Sequence, residues 1–180
     1  MARDGLMQIT VKKLTDEELL RESAGMTTGH ESHLSLRDAY GLEHSPMRTQ
    51  MFWVRMEGIP TSSSVHLIRH HIWVEKFVKS NRPDRGGNGR ADRDTPVDTG
   101  LFLNAQSLIN MARMRLCNRA DKTTREIMEE IKTKVAEIDA DLAAFMVPNC
   151  TYRGGLCYRP CKYKKEVSIR YDDYRRMFTA

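Results

Sequence analysis

No stretch of this chain approaches the roughly 18 uninterrupted apolar residues of a membrane-spanning helix, and its first residues, MARDGLMQITVKKL, lack the apolar centre of a secretory leader. The expectation is a soluble cytoplasmic protein with no membrane partner. A Gly-Lys-Ser/Thr triplet is also absent, which excludes a P-loop. There is no internal repeat and no low-complexity block, so solenoid and fibrous classes drop out. An acidic surplus is missing too: 29 Lys and Arg against 24 Asp and Glu leave a net charge of +5. That balance suits phosphate-bearing partners without choosing between a nucleotide and a nucleic acid. Cysteine is sparse, four in all. In a reducing compartment these are expected as thiols or metal ligands rather than disulfides.

What is present is enough for a packed interior. At 180 residues and 40% hydrophobic content the chain can bury one real core. Met7 to Leu14 alternates apolar and polar side chains as a half-buried strand does, and Thr15 with Glu18 has the spacing of a capping box opening a helix through about Ser23. LSLRDAYGL reads as a weak helix, and TQMFWVRMEGIP, β-branched, aromatic and closing on Gly and Pro, as the best internal strand. Ser62 to Ser64 can cap a helix running to about Lys79. A glycine-, proline- and charge-rich connection of about 20 residues follows, a length that marks either a functional loop or a solvated, disordered linker.

Asp98 or Thr99 is the expected cap of the next helix, GLFLNAQSLINMARMRLCNRA, with Leu101, Ala105, Leu108, Ala112 and Leu116 as its apolar stripe. A further helix is expected from about Lys122 to Met146, and a strand-like EVSIRY near the end. The fold class is therefore α+β, a helix-rich domain on a small mixed or antiparallel sheet. Residues 1–149 form the domain, and 150–180 a cysteine-containing extension packed on it.

Three groups of residues could carry chemistry. At 100° per residue Asn104 and Arg115 fall within about 20° of each other on one helix, beside the apolar stripe. A guanidinium there is half buried and needs a carboxylate such as Glu126 or Glu130, a set of carbonyls, or an anionic ligand. Arg69, His70 and His71 are consecutive inside an apolar stretch, and Ser80 and Arg82 follow where glycines begin; hydroxyl and guanidinium groups so placed can share an anion's oxygens. Cys150, Cys157 and Cys161 lie in a loop with Gly154, Gly155 and Pro160, and tetrahedral zinc would require Cys117 or a histidine as a fourth ligand. The alternative is unligated thiols.

Taken together these segments resemble the flavin-dependent thymidylate synthases from about Met7 to Cys161. NAQSLINMARMRLCNRA resembles that family's helix of the form N-x-R-S-L-x-N-x-x-x-x-R followed by a His, with Asn104, Ser107, Asn110 and Arg115 at matching positions. Arg69 and His70 match the first two positions of its Arg-His-Arg, and Ser80 with Arg82 its Ser-x-Arg after a one-residue insertion. HSP at His44 to Pro46 resembles a turn of the same family. His71 stands in place of the third Arg, Val74, Lys76 and Phe77 in place of Ser, Asn and Glu, Gln106 in place of an Arg, and Arg119 in place of a His. Such replacements in a short chain match a compact, divergent, phage-type member, acting in a host cytoplasm.

The resemblance implies reductive methylation of dUMP to dTMP with methylenetetrahydrofolate, FAD and NADPH, in a homotetramer with sites between subunits. It implies Arg115 as the catalytic residue that reads the uracil. Arg69, His70, His71, Asn104, Asn110 and Arg119 would hold the cofactor, and Ser80, Arg82 and Arg115 the substrate, with Glu75 standing in for the missing carboxylate. Cys150, Cys157 and Cys161 remain the metal candidates, for zinc. The rivals are an enzyme modifying another pyrimidine nucleotide and a zinc-stabilised nucleic-acid-binding protein, nucleic acid being the less expected partner.

Overall fold

The sheet is built from two strands whose alternation the sequence shows and two that it disguises. The structure is a computed structural model describing residues 7–90, 92–161 and 169–170. Strand β1 (Gln8–Lys13) leads into helix α1 (Glu17–Thr28), then α2 (Leu36–Gly41), a 3-10 turn at Ser45–Thr49 and the long strand β2 (Met51–Pro60). Helix α3 (Thr61–Ile68) and strand β3 (Val74–Val78) precede a loop with a 3-10 turn at Pro83–Arg85, after which β4 (Pro96–Asn104) runs directly into α4 (Ala105–Arg115). Helices α5 (Lys122–Ala136), α6 (Ala140–Phe145) and α7 (Asn149–Tyr152) complete the domain.

All neighbours in the four-stranded sheet, ordered β1-β2-β4-β3, pair antiparallel. Its class is α+β, as expected, with the sheet wholly antiparallel. Phe52, Val54 and Met56 of β2 lie opposite Leu103, Leu101 and Thr99 of β4, and all six are buried. This face carries the helices. On the other face Trp53 lies over Gly100, where a Cβ would stand inside the indole ring, and reaches Phe77 at a centroid distance of 5.6 Å. Among the described residues no helix is long and apolar enough to cross a membrane.

Several expected boundaries move, each for a local reason. The cap of α1 is Asp16, which accepts from Leu19 N, while Thr15 instead ties the chain to Thr49 O and Met51 N; Gly29 at φ 73 ends the helix beyond Ser23. The serines at 62–64 do not cap α3. Pro60 precedes the helix, and Ser63 and Ser64 are buried in it, Ser64 meeting the Thr99 hydroxyl at 2.8 Å. That helix stops at Ile68 rather than Lys79, because residues 74–78 pair with β4. Neither Asp98 nor Thr99 is a cap: the apolar stretch from Val97 to Leu103 is a strand between two partners, and a short run of this kind fits either period.

The expected helix from 122 to 146 is two helices. Asp139 breaks it, accepting from Leu142 N to cap α6, and its buried carboxylate also takes Lys13 Nζ at 2.7 Å and the Tyr40 hydroxyl at 2.9 Å. One side chain thus joins β1, α2 and α6. Burial, then the neighbouring Asp139 charge, raises the Tyr40 hydroxyl above its ordinary range. Of the strand expected at 166–171, Ile169–Arg170 pairs in parallel with Leu156–Cys157; the other positions lie outside the described residues.

Removing the Asp139 carboxylate strands a buried ammonium and uncaps α6, so Asp139→Ala should lower unfolding free energy by about 3 kcal/mol. Urea denaturation followed by circular dichroism measures it, and a loss under about 1 kcal/mol contradicts the role given to this carboxylate.

Candidate functional site

The site is organised by the end of α3 meeting the flank of α4. Arg69 closes α3 in right-handed geometry, and the chain then turns through His70, His71, Ile72 and Trp73 before entering β3. Trp73 has φ 56, a left-handed conformation that a bulky residue adopts only when its surroundings impose it. What imposes it is visible: the Ser107 hydroxyl on α4 donates to Ile72 O at 2.8 Å and lies 3.4 Å from Trp73 O. The consecutive basic residues therefore line a turn instead of fanning around a helix.

Arg115, at the far end of α4, completes the link. Its Nε donates to His70 Nε2 at 3.1 Å and its Nη2 to His66 O at 2.6 Å. Neither Glu126 nor Glu130 is its partner; Glu126 faces Lys122. No described carboxylate forms an ion pair with Arg115. Burial, and secondarily the charge of Arg69, hold the guanidinium below its ordinary pKa. His70 is moved further: burial first, then Arg115, His71 and Lys76, push it down to about 4. It is neutral near pH 7, which is what an acceptor for a guanidinium must be.

Beside this link Arg69, His70, His71, Ser107 and Asn110 line a recess of about 280 Å3 with Ile72 and Val74. Lys76, named from the sequence only as a replacement for an Asn, reaches His71 Nδ1 at 2.6 Å. Its signal was alternation: on the strand it shares a face with Val74. No Asp or Glu lines the recess. Asn110 gives its Oδ1 to Arg113 Nη1 at 3.1 Å, which leaves its NH2 as the group it can offer a ligand. With the Arg69 guanidinium, the Asn110 NH2 and no acid in the lining, the recess fits an oxygen-rich anion or an acidic heterocycle.

Other expected residues do not join it. Asn104 is the buried N-cap of α4, its Oδ1 accepting from Ser107 N at 2.9 Å and Ser107 Oγ at 3.0 Å; since it lies in β4, the 20° helical coincidence with Arg115 does not exist. Glu75 points to the outer sheet face opposite Phe102. Ser80 lines a separate cavity of about 490 Å3 between α3 and the 79–88 loop, and Arg82 is closed on Asp84 by two 2.9 Å bonds. Arg119 is exposed and faces a third cavity. Cys150, Cys157 and Cys161 line that third cavity too, but among the described residues no three His, Cys, Asp or Glu side chains stand as a ready ligand set.

Gln106 and Arg113, one heptad apart, both reach Glu43. Burial raises the Glu43 pKa, but hydrogen bonds from Arg113 and Gln106 outweigh it and bring the carboxyl below its usual value. Tyr152 of α7 covers the Arg113 guanidinium at 3.5 Å.

No family model matches the sequence, and no curated protein is similar to it in sequence. Similarity lies in three dimensions. A structure of flavin-dependent thymidylate synthase from Helicobacter pylori complexed with FAD and dUMP superposes with a TM-score of 0.66 at 10% identity, over 78% of this chain and 99% of that one. The fold is that of the flavin-dependent thymidylate synthases. A second Helicobacter pylori thymidylate synthase X structure, also with FAD and dUMP, gives 0.64 at 11% identity over 78% and 97%. A UMP/dUMP methylase from Streptomyces cacaoi bound with 5-Br dUMP gives 0.59 at 13% over 77% and 94%. The thymidylate synthase fold thus accounts for nearly the full length of those chains and leaves about a fifth of this one beyond it.

A His70 pKa near 4 has a signed consequence. The unfolded chain takes up a proton near pH 6.5 and the folded one resists until about 4, so stability should fall as pH drops through that window and level off below it. His70→Gln should flatten the decline. Urea midpoints at pH 7 and pH 4.5 for both proteins test this, and parallel declines would assign the acid sensitivity elsewhere.

Proposed function

We propose that this protein is a flavin-dependent thymidylate synthase-like enzyme that binds dUMP, or a related pyrimidine nucleotide, and methylates its C5 reductively. The carrying observation is Arg115: a half-buried guanidinium with no carboxylate partner, held by a neutral imidazole and a backbone carbonyl, on a fold whose relatives were solved with dUMP. Methylenetetrahydrofolate would provide the one-carbon unit and NADPH the reducing equivalents. FAD, when bound, supplies the hydride.

The residues present fit such ligands by charge. Arg69 lines a recess without acids, Lys76 and Arg115 stand behind it through their bonds to His71 and His70, and Ile72 and Val74 give it an apolar wall. Arg115 would hold the uracil's developing negative charge as C5 becomes nucleophilic, and its bond to His70 fixes the guanidinium plane before substrate arrives. Arg69 would meet phosphate oxygens. The Asn110 NH2 would donate to a ring carbonyl or ribose oxygen.

A recess of about 280 Å3 can take a pyrimidine or a phosphate but not a nucleotide and a dinucleotide together. The remaining wall must come from elsewhere, which favours a homo-oligomer, the tetramer implied by the resemblance. In that arrangement Ser80 and Arg82, remote from Arg115 within one chain, would serve a neighbour's recess. Cytoplasmic residence belongs to the same reading.

Titration of purified protein with FAD and with dUMP tests it. Arg115→Ala should weaken dUMP at least about 30-fold, the loss of a charge-assisted contact near 2 kcal/mol, and FAD much less. Product analysis with dUMP and dCMP separates the related nucleotide-modifying enzyme. Colourless protein that ignores both flavin and dUMP rejects the proposal.

A further inference from the structure

The segment that follows α6 is almost without a core. In residues 150–161 Gly155 is buried, and the half-buried positions are Cys150, Leu156, Cys157 and Cys161; every other residue is exposed. Its ties among the described residues are few: Tyr152 against Arg113, and Leu156–Cys157 paired with Ile169–Arg170. Yet the path is specific. Gly154 and Gly155, at φ 62 and 97, reverse the chain, Gly155 N donates to Cys150 O at 2.7 Å, and the cysteines before and after the reversal line one cavity.

That cavity, of about 470 Å3 at the end of α4, is lined also by Cys117, from the connection to α5. All four cysteines of the chain therefore meet at one place, three from the extension and one from the domain. The same cavity is lined by Arg113, Arg115, Arg119, Arg153 and Arg159 and by no acid. Two separate properties coincide there: a complete set of soft ligands and a compensating positive charge.

We infer that Cys117, Cys150, Cys157 and Cys161 bind one zinc(II) ion that staples the extension to α4. Four thiols lose four protons to solvent, the ion and four thiolates carry a net charge of −2, and no electron is transferred. Arg119, Arg153 and Arg159, the guanidinium groups of the lining that remain once Arg113 is paired with Glu43 and Arg115 bonded to His70, stabilise that charge. Thiolate-only ligation with no carboxylate or carbonyl selects zinc over magnesium or calcium. The sulfurs do not stand as a ligand set in the structure, so binding draws the 150–161 loop inward over the end of α4. Asn118, whose Nδ2 lies 3.7 Å from Cys161 Sγ, is placed to donate to a bound thiolate. The inference is independent of the nucleotide chemistry and would survive its failure.

The test uses the full chain purified under reducing conditions. One zinc per chain by elemental analysis is expected, and cobalt(II) in its place should give the intense thiolate-to-metal charge-transfer absorption of a four-sulfur tetrahedral site. Cys117→Ser, Cys150→Ser, Cys157→Ser and Cys161→Ser should each weaken metal retention against a competing chelator by more than the roughly 10- to 100-fold typical of supporting residues, with helical circular dichroism kept. Cys117→Ser is the decisive variant, since wild-type retention there overturns the four-cysteine site. Wild-type protein without zinc that gives no charge-transfer band with cobalt overturns it as well, as does an iron–sulfur chromophore. If the variants do not fold, the wild-type cobalt spectrum decides.

Discussion

The contact between Arg115 and His70 is the constraint on which the site depends. A half-buried guanidinium is expensive without compensation, and here the compensation is weaker than a carboxylate: one imidazole nitrogen and one carbonyl oxygen. This choice keeps the positive charge available. A glutamate in the same place would neutralise Arg115 permanently and leave nothing to attract an anion. The imidazole can accept only because it is neutral, and it is neutral because burial and the cations around it depress its pKa. The electrostatics that would recruit a ligand thus also hold the arm that would bind it.

The backbone serves the same end. The chain leaves α3 and must reach β3, the sheet edge, in five residues, and it does so with Trp73 in a left-handed conformation. Such a conformation costs on the order of 1 kcal/mol or more for a bulky residue and persists where neighbours over-determine it. Ser107 grips the turn from α4, and Asn104 holds Ser107 by capping the same helix. Asn104 is two bonds from the recess without lining it. A residue at a family's binding position can matter there by positioning, and its own amide need not touch the ligand.

Much of this was legible in the sequence, and what was not has a physical explanation. β1 and β2 announced themselves because one face is solvated, so alternation survives. Arg115 as a half-buried cation in search of a partner was also readable, and the 69–71 triplet does line one recess, though along a turn rather than around a helix. β4 was misread as helix because it is the sheet's central partner to β3 and buried on one face and partly on the other, which erases alternation; Leu101, Ala105 and Leu108 then mimic a helical stripe across a strand–helix junction. β3 was misread because Val74, Phe77 and Val78 fit either period until the pairing with β4 is known. The break at Asp139 depended on Lys13 and Tyr40, more than ninety residues away, and no local window contains them.

Gln106, at a position where the resembled pattern has an arginine, lies outside the recess, and Arg113 lies seven residues on, two turns along the same face of α4. Gln106 and Arg113 both bind Glu43, whose backbone is itself left-handed at φ 52, and Tyr152 seals the guanidinium from solvent. The cation at this face is therefore neutralised and committed to holding α4 against the α2 turn and α7. Its influence on the recess is indirect: it takes the Asn110 oxygen and turns the amide NH2 outward. On the proposed function a ligand in the recess would meet the neutral Asn110 amide, and anion binding would rest on Arg69 at the α3–β3 turn and on Arg115 behind His70.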